Sequence, residues 1–380
     1  MNRSTIHNKQ RIISMLLITL QWQLLTSCLK ETADNIPEKV NRTVLFYMAG
    51  DNSLSEETQE KIDALCAAWQ VTGDNHLLVY RDDADHLPQL LEIKAGADGK
   101  GVAEVLETYE EENSASAKVF GNVLTDVVLR YPAADYGLIW FSHSSGWLPL
   151  QTFVRPRSVG MDGQDEMELR SFAAVIPEGQ FSFIVFESCL MAGAEVAYEL
   201  SGKTEMLLAS GTEIVSPGFT PLYGKLLDCL YRKRPALEEF AESYYTYCNF
   251  QQGDSRSAAV SVIRPPALAP LKELLASAES RVEHWEWIDR RGLQHFDRRK
   301  SDYLFYDLED YIRRIGSQDD INRLAGVLDA AVLYKAATKS FMPDSQYGFA
   351  INGYCGLTIY VPLAQYSYLN AQRELLKLFN

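Results

Sequence analysis

The stretch at residues 181–200, FSFIVFESCLMAGAEVAYEL, constrains the fold of this chain more than any other. Residues 181–186 form a continuous apolar run rich in aromatic and β-branched side chains, which predicts a buried strand. From residue 190 onward, apolar side chains recur at helical spacing, which predicts a helix. Cys189 lies between the two elements. Open α/β sheets carry their reactive groups at this position, and a helix N-terminus there would favour a thiolate.

A second strand with the same kind of ending lies upstream. Residues 136–141, YGLIWF, form another apolar run, and Ser142 and His143 follow it. The chain between His143 and Cys189 has room for one loop, one helix and the next strand. We therefore expect the imidazole and the thiol to lie at the same edge of a sheet. A cysteine nucleophile requires a base within reach in this way.

The N-terminal half alternates between predicted strands and helices, which indicates an α/β fold with a mostly parallel sheet flanked by helices on both faces. Residues 87–93 and 102–108 are typical of a hairpin. The other predicted strands are residues 44–49, 76–81, 136–141, 181–186 and 206–210, and the predicted helices are residues 55–69, 115–130 and 167–175. We assign this pattern to one domain, residues 42–217.

The C-terminal half is richer in predicted helices, and we expect an α+β subdomain over residues 218–380 that packs on the first domain. Residues 258–263 predict a strand within it. Residues 348–352 and 357–361 predict a two-strand pattern. The predicted helices are residues 222–231, 235–250, 268–287, 303–315, 322–339 and 366–379.

The N-terminus has the pattern of a bacterial lipoprotein signal. Basic residues precede an apolar stretch that is too short and too interrupted to span a membrane, and residues 25–28 read Leu-Thr-Ser-Cys. We predict that residues 1–27 are a signal peptide, that Cys28 is lipidated, and that residues 28–41 form a tether. The protein would then be exported and lipid-anchored on the periplasmic or cell-surface side of a bacterial membrane. The alternative is an ordinary secretion signal with Cys28 incidental.

The net charge and the cysteine content of the chain bear on whether it binds nucleic acid or zinc. The net charge is −15, which argues against a nucleic-acid partner. The six cysteines contain no C-x-x-C pair, so a zinc site is not expected. Apart from Cys28 and Cys189, they are interpreted as buried small hydrophobic residues, although export would permit a disulfide. The cysteines are Cys28, Cys66, Cys189, Cys229, Cys248 and Cys355.

The blocks IWFSHSSGW and FESCLMAGAEVAYEL together resemble the clostripain family of cysteine peptidases, which are relatives of caspases, gingipains and legumains. The resemblance extends to VLFYMAGDNSL near the start, to LLASGTEIVSPGF after the cysteine, and to the terminal GLTIYVP. It therefore covers nearly the whole chain after the signal segment. It implies a caspase-like fold and a cysteine endopeptidase that cleaves protein or peptide substrates.

The resemblance also implies roles for individual residues. Cys189 would be the nucleophile, and His143 would protonate the leaving amine. Backbone N–H groups at Ser144 and Cys189 would hold the oxyanion. Glu187, where the family usually has Asp, would lie at the base of the pocket for an Arg or Lys at the P1 position. Glu213 would add a second negative charge to that pocket.

For the predicted loop at residues 148–166, the resemblance suggests self-processing and calcium binding. Relatives commonly cut themselves after a basic residue in this region, which makes the bond between Arg157 and Ser158 the predicted processing site. Some relatives bind calcium, and Asp162, Asp165 and Glu166 are the nearby carboxylates. These three lack the regular spacing of a calcium loop, so we predict no required cofactor, with calcium as the alternative.

Two departures from the family pattern support a different function. The family usually has Gly directly after the histidine, where this chain has Ser144, and a serine would be strained if that position needs a positive φ. Glu187 is the other departure. The alternative is thus a catalytically impaired clostripain-like lipoprotein that binds a peptide or a partner. A transamidase of the same architecture is a third interpretation, and it would need a partner with a sorting signal.

Overall fold

The computed structural model describes residues 41–69, 74–97, 99–148, 159–163, 165–298 and 302–380. The predicted signal peptide, nearly all of the tether, the lipidation residue Cys28, and the processing residues Arg157 and Ser158 lie outside these ranges.

Fifteen strands are present in the described part of the chain. In chain order they are β1 Arg42–Ala49, β2 Asn75–Asp83, β3 His86–Ala95, β4 Gly101–Thr108, β5 Tyr136–Phe141, β6 Gly160–Asp162, β7 Asp165–Met167, β8 Phe181–Glu187, β9 Thr204–Ser210, β10 Ala259–Ile263, β11 Phe305–Asp307, β12 Val332–Ala337, β13 Ser340–Phe341, β14 Phe349–Ala350 and β15 Thr358–Tyr360.

The described α-helices number ten, and none is long and apolar enough to span a membrane. They are α1 Ser55–Ala68, α2 Ala117–Arg130, α3 Leu169–Val175, α4 Ala194–Glu199, α5 Tyr223–Leu230, α6 Leu237–Asn249, α7 Leu271–Glu279, α8 Leu308–Ile315, α9 Gln318–Ala331 and α10 Ser367–Arg373.

Nine strands form one sheet in the order β12-β10-β9-β8-β5-β1-β2-β3-β4. The five central strands, from β9 to β2, pair in parallel, and the outer strands on both sides pair antiparallel. Strands β5 and β8 are neighbours, with Phe141 opposite Glu187 at their carboxyl ends. This confirms the predicted mostly parallel sheet, and the loops that follow these two strands leave the sheet side by side.

The central strands are buried on both faces, so alternate side chains enter two separate cores. In β8, Ile184 and Phe186 pack in one core, whereas Phe183 and Val185 pack in the other. We call these core A and core B, respectively. Helices α2, α3, α4, α7, α8, α9 and α10 contribute buried side chains to core A, and helices α1, α5 and α6 contribute to core B. The helices therefore cover both faces, as predicted.

The region after residue 217 takes a larger part in the sheet than expected. Residues 322–339 were predicted as one helix, but α9 ends at Ala331 and β12 follows. Strand β12 pairs with β10, which pairs with β9, so strands from both sides of residue 217 share the sheet. Residues 40–380 form one compact unit. Residues 332–337 have a helical pattern, but they pair with β10 as an edge strand. This pairing joins segments that are distant in the chain, so local periodicity does not predict it.

The predicted pair of C-terminal strands is also partnered differently. Strand β14 pairs with β13, and β15 pairs with β11, each in a separate two-stranded sheet. A bridge between Gly193 and Thr358 attaches β15 to the loop that follows Cys189. The terminal block GLTIYVP is thus connected to the region of the cysteine through the backbone.

We predict that Gly137→Ala destabilises the fold and that Gly326→Ala does not. A Cβ at Gly137, in the middle of the sheet, would lie 2.0 Å from the ring of Phe183 on the neighbouring strand. Overpacking of this kind costs about 1–3 kcal/mol. Gly326 is exposed in α9 with open space around it, and Ala there should stabilise the helix by about 0.5–1 kcal/mol. Urea unfolding of both variants measures the difference, and equal free energies of unfolding would contradict this packing.

Candidate active site

A cavity of about 490 Å³ lies at the carboxyl ends of β5 and β8. Its lining includes every described residue that we predicted for the site: His143, Ser144, Glu187, Cys189 and Glu213. The imidazole and the thiol are both half-buried and open to this cavity. Parallel pairing of two neighbouring strands has therefore brought the residues after each strand into one place, as the sequence predicted.

The thiol of Cys189 accepts a hydrogen bond from the backbone. The N–H of Ile214 donates to Cys189 Sγ across 3.4 Å. A hydrogen bond of this kind favours the charged form of an acceptor. The helix expected directly after the cysteine begins only at Ala194, so a neighbouring helix N-terminus does not take this role. Ile214 could not be predicted for this role, because a contact between two loops that are distant in the chain leaves no local signal in the sequence.

The imidazole of His143 is held by a residue from another loop. The Ser53 hydroxyl and His143 Nε2 share a hydrogen bond of 2.8 Å. Ser53 lies between β1 and α1, within the block VLFYMAGDNSL. That block is part of the family resemblance. Its last residues were therefore the sequence signal from which Ser53 could have been predicted as a site residue.

Ser144 does not carry the backbone strain that the comparison with glycine suggested. The described residues with φ in the left-handed region near this site are Gly146, at 75°, Leu190, at 61°, and Gly218, at 62°, and Ser144 is not one of them. The Ser144 hydroxyl instead donates to the backbone carbonyl of Cys189 at 2.5 Å. Serine therefore joins the loop after β5 to the loop after β8, which a glycine could not do with a side chain.

Leu190 carries the backbone strain at this site. A leucine at a φ of 61° costs roughly 1–2 kcal/mol relative to its ordinary conformations. Its side chain is buried, and its N–H donates to the carbonyl of Thr212 at 2.9 Å. A Cβ at Gly146 would lie 3.0 Å from the Leu190 carbonyl oxygen, so the two loops approach closely. This turn ends β8 and delays the start of α4.

Glu187 is buried and already has partners. One carboxylate oxygen accepts from Lys61 Nζ at 2.5 Å and from the N–H of Phe219 at 2.7 Å. The other oxygen accepts from the Tyr223 hydroxyl at 2.7 Å. Strand β8 ends at Glu187. Cys189 therefore lies outside the strand, and its side chain need not point to the same face as that of Glu187. The partners of Glu187 come from the core B side, whereas Cys189 packs against core A.

Lys61, the ion-pair partner of Glu187, is also buried and hydrogen-bonded to other protein groups. It lies on α1, its side chain is 1% exposed, and its ammonium also donates to Thr220 Oγ1 at 2.8 Å. The same ammonium lies 4.5 Å from the centre of the Phe141 ring. The positive charge of Lys61 therefore balances the negative charge of Glu187 within the protein. This role of Lys61 could not be predicted from local sequence, because its partner Glu187 is distant in the chain.

Glu213 forms a second ion pair in the cavity. Arg298 Nε donates to Glu213 Oε2 at 2.8 Å, and a second guanidinium nitrogen contacts the same oxygen. Both side chains are partly exposed, at 32% for Glu213 and 25% for Arg298. Arg298 belongs to the region after residue 217, so that region helps to build the cavity.

The loop after Cys189 is anchored from behind by buried groups. The N–H of Thr358 donates to the Ala192 carbonyl at 2.9 Å, and Glu195 accepts from the N–H of Tyr360 at 2.8 Å. Glu195 is fully buried, and burial raises the pKa of its carboxyl group to about 7. These contacts explain why the C-terminal block is coupled to the position of the nucleophile.

The other four described cysteines have thiols with raised pKa values. All five described cysteines are free thiols. Burial raises the pKa of the Cys66, Cys229 and Cys355 thiols and raises that of Cys248 to about 11. A raised pKa lowers the thiolate fraction and thus reactivity.

The carboxylates proposed for calcium lie on the β6–β7 hairpin. Asp162 Oδ2 accepts from the N–H of Ser114 at 2.6 Å, while Asp165 and Glu166 are in β7. Within the described ranges, the one group of three potential ligands close enough to share a metal is Asp228, Cys229 and Glu239. Glu239 is paired there with Lys225 and Arg232, which compensates its charge.

We predict that the single variants Lys61→Met and Glu187→Gln each lower the free energy of unfolding by about 3–5 kcal/mol, because each leaves a buried partner unpaired. The double variant should recover most of this loss, since it removes both charges and retains similar side-chain volumes. Urea unfolding of all four proteins gives the coupling energy. Losses that simply add in the double variant would contradict the buried pair.

Comparisons with known proteins identify the family of this chain. The model of the clostripain family of peptidases matches residues 46–283, which is more than half of the chain. An X-ray structure of an inactive zymogen C11 protease from Parabacteroides distasonis is 30% identical, with a TM-score of 0.78, and the match covers 90% of this chain and 98% of that one.

A second similar structure is a secreted C11 cysteine protease from Bacteroides thetaiotaomicron in complex with an irreversible peptide inhibitor. It is 26% identical, with a TM-score of 0.76, and the match covers 89% of this chain and 98% of that one. No curated protein matches the chain significantly. The family model, the similar structures and the cavity shared by His143 and Cys189 lead to one conclusion: this chain belongs to the clostripain family of cysteine peptidases.

Proposed function

We propose that this protein is a lipid-anchored cysteine endopeptidase that cleaves after Arg or Lys by means of the His143–Cys189 dyad. The observation that carries the proposal is the single cavity into which both side chains open. Membership of a cysteine peptidase family supports the reaction class.

In the proposed reaction, the Cys189 thiolate attacks the carbonyl carbon of the scissile bond. The N–H group of Ile214, which donates to Sγ, stabilises the thiolate before attack. Backbone N–H groups at Ser144 and Cys189 hold the oxyanion. The His143 imidazolium then donates its proton to the leaving amine as the C–N bond breaks. Water attacks the acyl-enzyme, His143 accepts a proton from it, and the thiolate is regenerated.

The charge of the cavity supports a basic P1 residue. The carboxylates that line it are more numerous than the basic side chains, even though two of them are paired. The acidic side chains are Glu57, Glu187, Glu213 and Asp297, and the basic ones besides His143 are Lys61 and Arg298. The excess negative charge would attract an Arg or Lys side chain of a substrate.

The proposal also includes export of the protein, its lipid anchoring and its self-processing. One similar protein is described as secreted, and another as an inactive zymogen. These descriptions support an exported precursor that is activated by cleavage. Cys28 would carry the lipid, and the bond between Arg157 and Ser158 would be cut.

We expect the chain from residue 28 onward to hydrolyse fluorogenic peptides with Arg or Lys at P1 and not those with Asp or Ala. Cys189→Ala should abolish this hydrolysis, because it removes the nucleophile. Cleavage after another residue type would support peptidase activity but contradict the preference for Arg or Lys at P1. Absence of all cleavage, together with slow alkylation of Cys189, would favour the noncatalytic binding protein.

Arg157→Ala should abolish self-processing, whereas Arg155→Ala should not. Both arginines are in the same loop, but Arg155 precedes Pro156 and is a poor scissile position. Mass spectrometry of the purified proteins identifies the cleaved bond. Unchanged processing in Arg157→Ala would place the cut elsewhere, and processing that persists in Cys189→Ala would show that another protease makes it.

Cys28→Ala should release the protein from membranes. Expressed in a bacterium with its full N-terminus, the wild-type chain is expected in the detergent phase of a phase-separation assay, and the variant in the aqueous phase. Cys66→Ala is the control and should partition like the wild type. An aqueous wild-type protein would contradict lipidation.

A further inference from the structure

We propose that Glu57, and not Glu187, is the residue that binds the basic P1 side chain. This inference rests on the proposed function. Glu57 lies in the first turn of α1 and lines the same cavity as His143 and Cys189.

The carboxylate of Glu187 is already engaged within the protein. Both of its oxygens accept hydrogen bonds, and the ammonium of Lys61 balances its charge. The pair is buried, with each side chain 1% exposed. A substrate cation that approached Glu187 would also approach Lys61, and the two positive charges would repel each other. Lys61 thus occupies the place that a P1 ammonium would take beside Glu187.

Glu213 is engaged in a similar way. Arg298 donates two hydrogen bonds to the same oxygen of Glu213. Asp297, the fourth carboxylate of the cavity, is buried and accepts from the N–H of Leu304 with both oxygens. Three of the four carboxylates that line the cavity are therefore occupied by groups of the protein itself.

Glu57 differs from all three of these residues. In the part of the chain that the structure describes, its carboxylate forms no hydrogen bond and no ion pair, and its side chain is half-buried. It is therefore the available acceptor for a substrate cation.

The position of Glu57 on α1 also suits a P1 residue. Leu54, Glu57 and Lys61 follow one another at helical spacing, and all three line the cavity. Ser53, which contacts His143, lies at the N-terminal end of this row, and Lys61 lies at the other end beside Glu187. Glu57 is about 6 Å from Lys61 along the helix axis, on the side of His143. A basic side chain that enters from the dyad would reach Glu57 before the buried pair.

The chain provides a matched control for this assignment. Glu56 is the other acidic residue of the first turn of α1, and its side chain is exposed and does not line the cavity. Both glutamates lie in the first turn, where the helix dipole favours each of them, so Glu56→Gln controls for the loss of a negative charge at the helix N-terminus.

The test compares kcat/KM for peptides with Arg, Lys and norleucine at P1, where norleucine is an uncharged side chain of similar length. Glu57→Gln should lower the ratio of the Arg value to the norleucine value by about 10–100-fold, as expected for loss of a hydrogen bond to a charged group. Glu56→Gln should leave the ratio as in the wild type. The double variant Lys61→Met/Glu187→Gln should retain the preference for Arg, because it removes no net charge from the cavity.

Binding of the Arg peptide to the Cys189→Ala protein, measured by calorimetry with and without Glu57→Gln, gives the same comparison without turnover. Weaker binding with Glu57→Gln is expected. A ratio in Glu57→Gln equal to that in Glu56→Gln, or loss of the preference in the double variant, would overturn the assignment of Glu57. A wild-type protein that does not prefer basic P1 residues would instead reject the proposed function, and this inference with it.

Discussion

The parallel pairing of β5 with β8 is the constraint on which the site depends. Phe141 and Glu187 are opposite each other at the last paired position, so the two following loops leave the sheet together. Those loops carry His143 and Cys189, and the hydrogen bond from Ser144 to the Cys189 carbonyl joins them. A one-residue change of register would turn each side chain of β8 to the opposite face, so those of core A would enter core B and the reverse.

The buried Lys61–Glu187 pair links this edge of the sheet to α1. Such a pair stabilises little by itself, since both charges lose their hydration, but removal of one partner is costly. It fixes α1 against β8, and the same helix carries Glu57 and begins two residues after Ser53. One ion pair therefore couples the position of the proposed P1 acceptor to that of the imidazole. Because Lys61 balances the charge of Glu187, we propose that other groups of the cavity select the substrate.

Much of the fold could be predicted from the sequence, because buried parallel strands are continuous apolar runs that local patterns reveal. Strand β5 was predicted to the residue, and β8 to within one residue at its end. The contacts of Ser53, Ile214 and Lys61 could not be predicted, since each joins segments that are distant in the chain. The conversion of residues 332–337 from helix to edge strand and the left-handed turn at Leu190 likewise depend on tertiary packing.

The rate of alkylation tests most directly the proposal that His143 activates Cys189. Wild-type protein and His143→Ala are treated with iodoacetamide across a range of pH, and mass spectrometry follows each cysteine. We predict that Cys189 reacts faster than Cys66, the other half-buried described thiol, and that His143→Ala slows it at neutral pH. Equal rates for the two thiols, with no change in His143→Ala, would contradict the dyad.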